Sequence, residues 1–183
     1  MPEWVQTTKE RIQELTGEPY QYGKYGLFLK QGDCREILSS MRPNSVDFII
    51  FSPPYYNILK NSKGDRAQKR RNQGLPTTYG NSDKDLGRID DYQQFLRQME
   101  SIYKLCHRVL KPGKFMVDIV SDICVKGRFI PYGFDTGQVV CNAGFNWRGT
   151  QVVLDHWKKP KNYGIPYRFF FNFHHHYALV FQK

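Results

Sequence analysis

Asn44-Ser45-Val46-Asp47-Phe48-Ile49-Ile50-Phe51-Ser52-Pro53-Pro54-Tyr55-Tyr56-Asn57 is the most telling run of this chain. Val46 to Phe51 is apolar on both faces apart from Asp47, the pattern of a strand buried in a parallel sheet. Ser52-Pro53-Pro54-Tyr55 ends it, because two prolines remove the N–H groups that further pairing needs. A small polar residue, two prolines and an aromatic directly after a buried strand form a rigid, concave turn. The proline-fixed backbone aims a carbonyl acceptor outward, Ser52 adds a hydroxyl acceptor, and Tyr55 adds a flat stacking face. Two acceptors beside one π-face suit a planar heterocycle bearing an exocyclic amine. Such an amine is a poor nucleophile, since its lone pair is delocalised into the ring. Acceptors that hold its N–H bonds out of plane free that lone pair for attack on an electrophilic methyl group. Without a ligand, the same turn would merely terminate a strand.

Upstream, Leu27-Phe28-Leu29 reads as a strand ended by Gly32-Asp33, and Ile37, Leu38 and Met41 form a helical stripe stopped by Pro43-Asn44. Trp4, Val5, Ile12 and Leu15 mark a short amphipathic helix from Glu3 to Leu15, so residues 1–25 read as a helical extension and 26–183 as the main domain. Downstream, apolar periodicity vanishes from Asn57 to about Asp90. Lys60, Lys63, Arg66, Lys69, Arg70 and Arg71 face only Asp65 in the first half of that stretch. A loop longer than about 15 residues in a compact domain is commonly a functional lid or a disordered segment. Asp90-Asp91 then open a strong helix carrying Phe95, Met99, Ile102, Leu105, Cys106 and Val109 at helical spacing. Lys111-Pro112-Gly113 ends that helix, and a buried strand follows over Lys114–Val120. A helix near Asp135–Asn142 and strands over Trp147–Leu154 and Tyr177–Phe181 complete the chain. Strands alternating with helices predict an α/β sandwich with a mainly parallel sheet. Ligands of such sheets sit beyond the carboxyl ends of the strands, which puts Asp33, the Ser52–Asn57 turn and Asp118–Asp122 on one functional edge.

The composition is consistent with this. At 183 residues the chain is one domain's worth, and 40% apolar content with 15% aromatics argues against disorder. No run approaches the roughly 18 apolar residues of a membrane span, and Pro2-Glu3-Trp4 does not open a signal peptide. The cysteines Cys34, Cys106, Cys124 and Cys141 lack CxxC spacing and read as reduced thiols of a cytoplasmic protein. A formal charge of +10 favours a polyanionic partner. The basic run at 60–71 is either a solvated loop or a set of phosphate contacts, which position without specifying sequence. In His174-His175-His176, strand alternation turns His175 away from its neighbours, so three-histidine metal ligation is not expected. Trp157-Lys158-Lys159 reads as a strand end that could also line a DNA groove.

Ser-Pro-Pro-Tyr after an apolar strand resembles motif IV of the amino-methyltransferases that modify cytosine N4 or adenine N6 in DNA. The flanking features fall in that family's order: Gly32-Asp33, Arg108-Val109-Leu110-Lys111-Pro112-Gly113, Gly144-Phe145, His156-Trp157-Lys158-Lys159-Pro160 and His176-Tyr177-Ala178-Leu179-Val180-Phe181. The resemblance, over residues 26–183, implies a Rossmann-like sheet and methyl transfer from S-adenosylmethionine to a base amine, in a restriction–modification setting. It implies a base flipped from the duplex at a cost of a few kcal/mol and stacked on Tyr55. Ser52, Pro53, Pro54 and Tyr55 become the catalytic residues, with Ser52 and the Pro53 carbonyl accepting from the amine. Asp33, Cys34 and Asp118 are the expected cofactor contacts, and Lys60, Lys63, Arg66, Lys69, Arg70 and Arg71 the expected DNA contacts. Asp33 is equally suited to capping the helix after it, and Asp118 and Asp122 to being ordinary strand-end carboxylates. The Ser-first motif leans towards cytosine N4 over adenine N6. No Pro-Cys nucleophile of cytosine C5 methylation is present.

One departure from the family stands out. Its cofactor loop, of Asp-Pro-Phe-x-Gly-x-Gly type between a strand and a helix, is not found. Gly23-Lys24-Tyr25-Gly26 precedes the strand read at Leu27 instead of following one, and Gly133-Phe134-Asp135-Thr136-Gly137 has the wrong spacing. Glycines let the backbone approach a cofactor closely, which lysines and aromatics do not. In permuted members of the family that loop follows the last strand read here, so the sheet is expected to be incomplete, holding the target-base half. A second polypeptide carrying the other half, a fragment, or loss of catalysis would each account for it. The alternatives in function are a non-catalytic DNA-binding subunit and a methylase of RNA or of a protein amide.

Overall fold

The structure, a computed structural model, describes residues 3–58, 72, 84–156 and 174–183. The chain divides into two compact units, Met1–Ile37 and Leu38–Lys183, a division later than the boundary read at 25/26.

In the first unit, helix α1 spans Glu3–Thr16 and a single 3-10 turn spans Lys24–Gly26. The strand expected at Leu27–Leu29 does not form: Leu29 N–H donates to the Tyr20 hydroxyl at 2.8 Å, and the Leu27 carbonyl accepts from Gly23 N at 2.8 Å. Backbone groups satisfied locally leave no ladder to build. Helix α2, Cys34–Ser40, begins in this unit.

The second unit holds β1 (Val46–Phe51), α3 (Tyr92–Val109), β2 (Leu110–Val120), β3 (Ile123–Val125), β4 (Arg128–Ile130), α4 (Tyr132–Asn142), β5 (Asn146–Leu154) and β6 (His175–Gln182). A four-stranded sheet runs β1-β2-β6-β5. β1 pairs parallel with β2, whereas β6 is antiparallel to both β2 and β5. Three strands therefore point one way, but only one of three pairings is parallel, and the sheet is mixed rather than mainly parallel. The reason is that β5 and β6, consecutive in the chain, lie side by side as an antiparallel pair.

α3 is capped by Asp91, whose side chain accepts from Gln94 N. It buries Phe95, Met99, Ile102, Tyr103, Cys106 and Val109, with Tyr103 in the stripe where Leu105 was expected. That stripe covers the sheet face formed by Met116, Asp118, Val120, Leu179 and Phe181. β2 begins at Leu110 and takes in Lys111-Pro112-Gly113, ahead of the strand expected from Lys114. Its register against β1 shifts there, from Val46↔Leu110 to Phe48↔Phe115. A proline without an N–H and a glycine at φ 73° fit such a bulge.

The expectation that β1 is buried on both faces is corrected. Ile49 and Phe51 pack on the core, whereas Phe48 and Ile50 are 52% and 57% exposed, beside Phe115 at 41%. Among the described residues no layer covers that face, and β1 pairs on one edge alone.

Candidate active site

The turn expected to carry chemistry leaves the carboxyl end of β1, where Phe51 is registered against Asp118 of β2. Ser52 is exposed and its hydroxyl donates to the Ile119 carbonyl at 2.9 Å. A hydroxyl has one proton to donate, so what it presents outward is acceptor character. Pro53 is buried, and no hydrogen bond to its carbonyl forms among the described residues. The Pro54 carbonyl, in contrast, accepts from the Tyr132 hydroxyl at 3.0 Å. Half-buried Tyr55 lies against the Tyr132 ring, with centroids 5.8 Å apart and planes tilted by 56°. Tyr56 takes a left-handed φ of 48°, an uncommon state for a bulky side chain, and its hydroxyl donates to the Asp90 carbonyl. Asn57 donates to the Asp90 carboxylate at 3.3 Å, so Asp90, just ahead of α3, backs the whole turn.

Asp118 lies in the core rather than on an open edge. It is 0% exposed on the α3 face of β2, accepting from the Tyr103 hydroxyl, whose ring also meets Phe51 at 5.9 Å. Burial pushes its carboxyl up to about 7, against the opposing hydrogen bond from Tyr103. Asp33 belongs to the first unit. Its carboxylate accepts from Arg35 N at 2.9 Å and pairs with the Arg35 guanidinium at 2.7 Å, a helix-cap arrangement at the start of α2. Cys34, in the same unit, is an exposed free thiol, raised in pKa chiefly by desolvation of the sulfur. Of the three expected cofactor contacts, Asp33 and Cys34 thus belong to the first unit and Asp118 to the second.

Lys60, Lys63, Arg66, Lys69, Arg70 and Arg71 lie outside the described residues, as do Trp157, Lys158 and Lys159. His175 and His176 separate as alternation requires: the His175 ring meets Tyr177 at 4.9 Å, while His176 pairs with Asp155 at 3.2 Å. Among the described residues no group of three or more metal-ligating side chains comes together, and no helix is long and apolar enough to cross a membrane.

The sequence reading missed three residues at this site: Tyr103, Tyr132 and the part played by Asp122. The Asp122 carboxylate accepts from Gly133 N at 3.0 Å and from the Tyr177 hydroxyl at 3.1 Å, tying the start of α4 to β6. It also missed the β3–β4 hairpin. The signal for that was Lys126-Gly127, both at positive φ (49° and 78°), the type I′ geometry of a two-residue turn. Nothing local in the sequence points to Tyr132, because its partner Pro54 is remote in the chain.

An α/β sheet with an acceptor-lined Ser-Pro-Pro-Tyr turn at a strand's carboxyl end has the architecture of a Rossmann-like methyltransferase. The sequence profile of the N6/N4-type DNA methylase family matches residues 46–183, and the chain belongs to that family. A protein of Thermus thermophilus assigned as a DNA modification methylase, solved with S-adenosyl-L-methionine, is similar at 24% identity with a TM-score of 0.55. The alignment covers 83% of this chain and 53% of that one. The PvuII cytosine-N4-specific DNA methyltransferase is similar at 17% identity and TM-score 0.56, over 82% of this chain and 47% of its own. The chain thus spans about half the length of these structures. No curated protein matches the sequence at a significant level.

Proposed function

We propose that this chain supplies the target-base half of a DNA amino-methyltransferase. The reaction is transfer of a methyl group from S-adenosylmethionine to an exocyclic base amine, cytosine N4 in preference to adenine N6. The observation that carries the reading is the Ser52–Tyr55 turn, with the Ser52 proton spent on Ile119, a Pro53 carbonyl that takes no hydrogen bond among the described residues, and the Tyr55 ring two residues on. In this reading Ser52 and Pro53 accept from the amine N–H groups and Tyr55 stacks on the flipped base. The basic residues at 60–71 bind phosphate, and a second polypeptide supplies the cofactor's glycine loop. The apolar face at Phe48, Ile50 and Phe115, with no layer over it among the described residues, supports that division. It also favours one other reading, a non-catalytic DNA-binding subunit of such an enzyme.

The test is methylation of duplex DNA with labelled S-adenosylmethionine by the chain, alone and with proteins that co-purify with it, followed by mass analysis of the nucleosides. N4-methylcytosine is the expected product, and N6-methyladenine would overturn the base preference. Tyr55→Ala should lower the rate by about 10–100-fold, the worth of one base–aromatic stack, with DNA binding retained. Full activity of an assembled Tyr55→Ala complex would leave the chain as the binding subunit.

A further inference from the structure

We propose that Tyr132 is the positioning residue of the Ser52–Tyr55 turn, acting through the Pro54 carbonyl and the Tyr55 ring; this rests on reading that turn as the amine-holding site. Proline rings lock φ at positions 53 and 54, so the soft torsions left at these two residues are their ψ angles. The Tyr132 hydroxyl, 3.0 Å from the Pro54 oxygen, fixes the second of them. The Ser52 hydroxyl on Ile119 anchors the other end of the turn. The Pro53 carbonyl is therefore held between two anchors, one on β2 and one on α4. The same Tyr132 ring packs beside Tyr55 at 5.8 Å and so orients the stacking face as well.

Tyr132 is itself held from three sides. It is the first residue of α4 and fully buried, with its ring 6.0 Å from Phe95. The next residue, Gly133, donates its N–H to Asp122, which also accepts from Tyr177 of β6. A Cβ at Gly133 would come within 2.6 Å of the Tyr177 ring, so the helix start sits as close to β6 as a backbone allows. Phenylalanine would fill the same space at position 132 without the burden of a buried hydroxyl. The hydroxyl adds direction to the Pro54 carbonyl, at a turn whose first residue is open to solvent.

Tyr132→Phe in the full chain, with any partner its activity requires, tests this on duplex DNA and S-adenosylmethionine. The expected result is a kcat lowered about tenfold or more, KM for DNA within about threefold, and an unchanged melting temperature. Phe145→Leu is the control: its ring packs on His107 and Phe181, with no ring contact to the turn or to Tyr132, and the change should lower the melting temperature while leaving kcat in place. An unchanged kcat in Tyr132→Phe, or an equal fall in Phe145→Leu, overturns the inference. So does a Tyr132→Phe protein that no longer melts cooperatively. Absence of methyl transfer by the unaltered protein instead overturns the amine-holding reading, and this inference with it.

Discussion

Asp118 shows how a side chain on its expected strand can turn to the enclosed face. Its place on β2 beside the end of β1 holds, but its face is the covered one, against Tyr103. A carboxyl enclosed there keeps its proton up to about pH 7, because burial disfavours the charged form more than the tyrosine hydroxyl favours it. In the unfolded chain the same group ionises near pH 4. The folded state therefore binds the proton more tightly between those values. Stability from this group is fully present below about pH 4 and falls as the pH rises to about 7. Between pH 5 and pH 8 that fall amounts to about 3 kcal/mol. Asp118→Asn, which keeps an acceptor for Tyr103, should remove it. Urea unfolding of both proteins across that range is the measurement, and parallel pH profiles would count against a proton-holding Asp118.

At the scale of elements, the turn is positioned by what ends β1 and what begins α4. β1 stops because two prolines follow it. α4 starts where it does because Asp122 receives the Gly133 N–H and Gly133 leaves room for Tyr177. The Tyr177 ring is not free to swing aside, since its hydroxyl is bound to the same Asp122 carboxylate. Gly133→Ala should consequently cost about 1–3 kcal/mol as an overpacked contact, read as a lowered urea midpoint with an unchanged slope. An alanine variant as stable as the parent would mean that α4 shifts freely against β6. The Lys111-Pro112-Gly113 segment makes the complementary point. It reads as a helix stop, and it is one, yet its carbonyl and amide groups are also drawn into the sheet edge through Lys183, with Gly113 N donating to the Lys183 carbonyl at 3.0 Å.

For the whole molecule, the charge of +10 sets how it meets a polyanion. Each phosphate neutralised releases counterions, so binding weakens with salt at about 0.9 in log–log slope per contact on duplex DNA. If Lys60, Lys63, Arg66, Lys69, Arg70 and Arg71 all reach phosphate, replacing the six with serine should reduce that slope by about five. Fluorescence anisotropy with duplex DNA over a salt series measures it directly. A slope unchanged by the six substitutions would assign the basic run to solvent. The uncovered face of the sheet belongs to this scale too. Phe48, Ile50 and Phe115 are core-type residues with no layer over them among the described residues, in a chain about half as long as similar methylase structures.

Hydrophobic period and proline are local signals, and they alone were enough to place β1 to the residue, the long helix behind it and the strands at the end of the chain. The family was equally legible, through Ser52-Pro53-Pro54-Tyr55 and its flanking motifs. Which face of β1 is covered was not, since a nearly unbroken apolar run carries no period to say so. Leu27–Leu29 was misread, because a tyrosine hydroxyl and a glycine turn satisfied the backbone before any strand could. That Asp118 faces Tyr103, that Asp122 seats α4 and that Tyr132 holds Pro54 emerged with the folded molecule and not before it. Each of these joins residues distant in the chain through a side-chain direction, and that direction is set by register and packing, which no local pattern encodes.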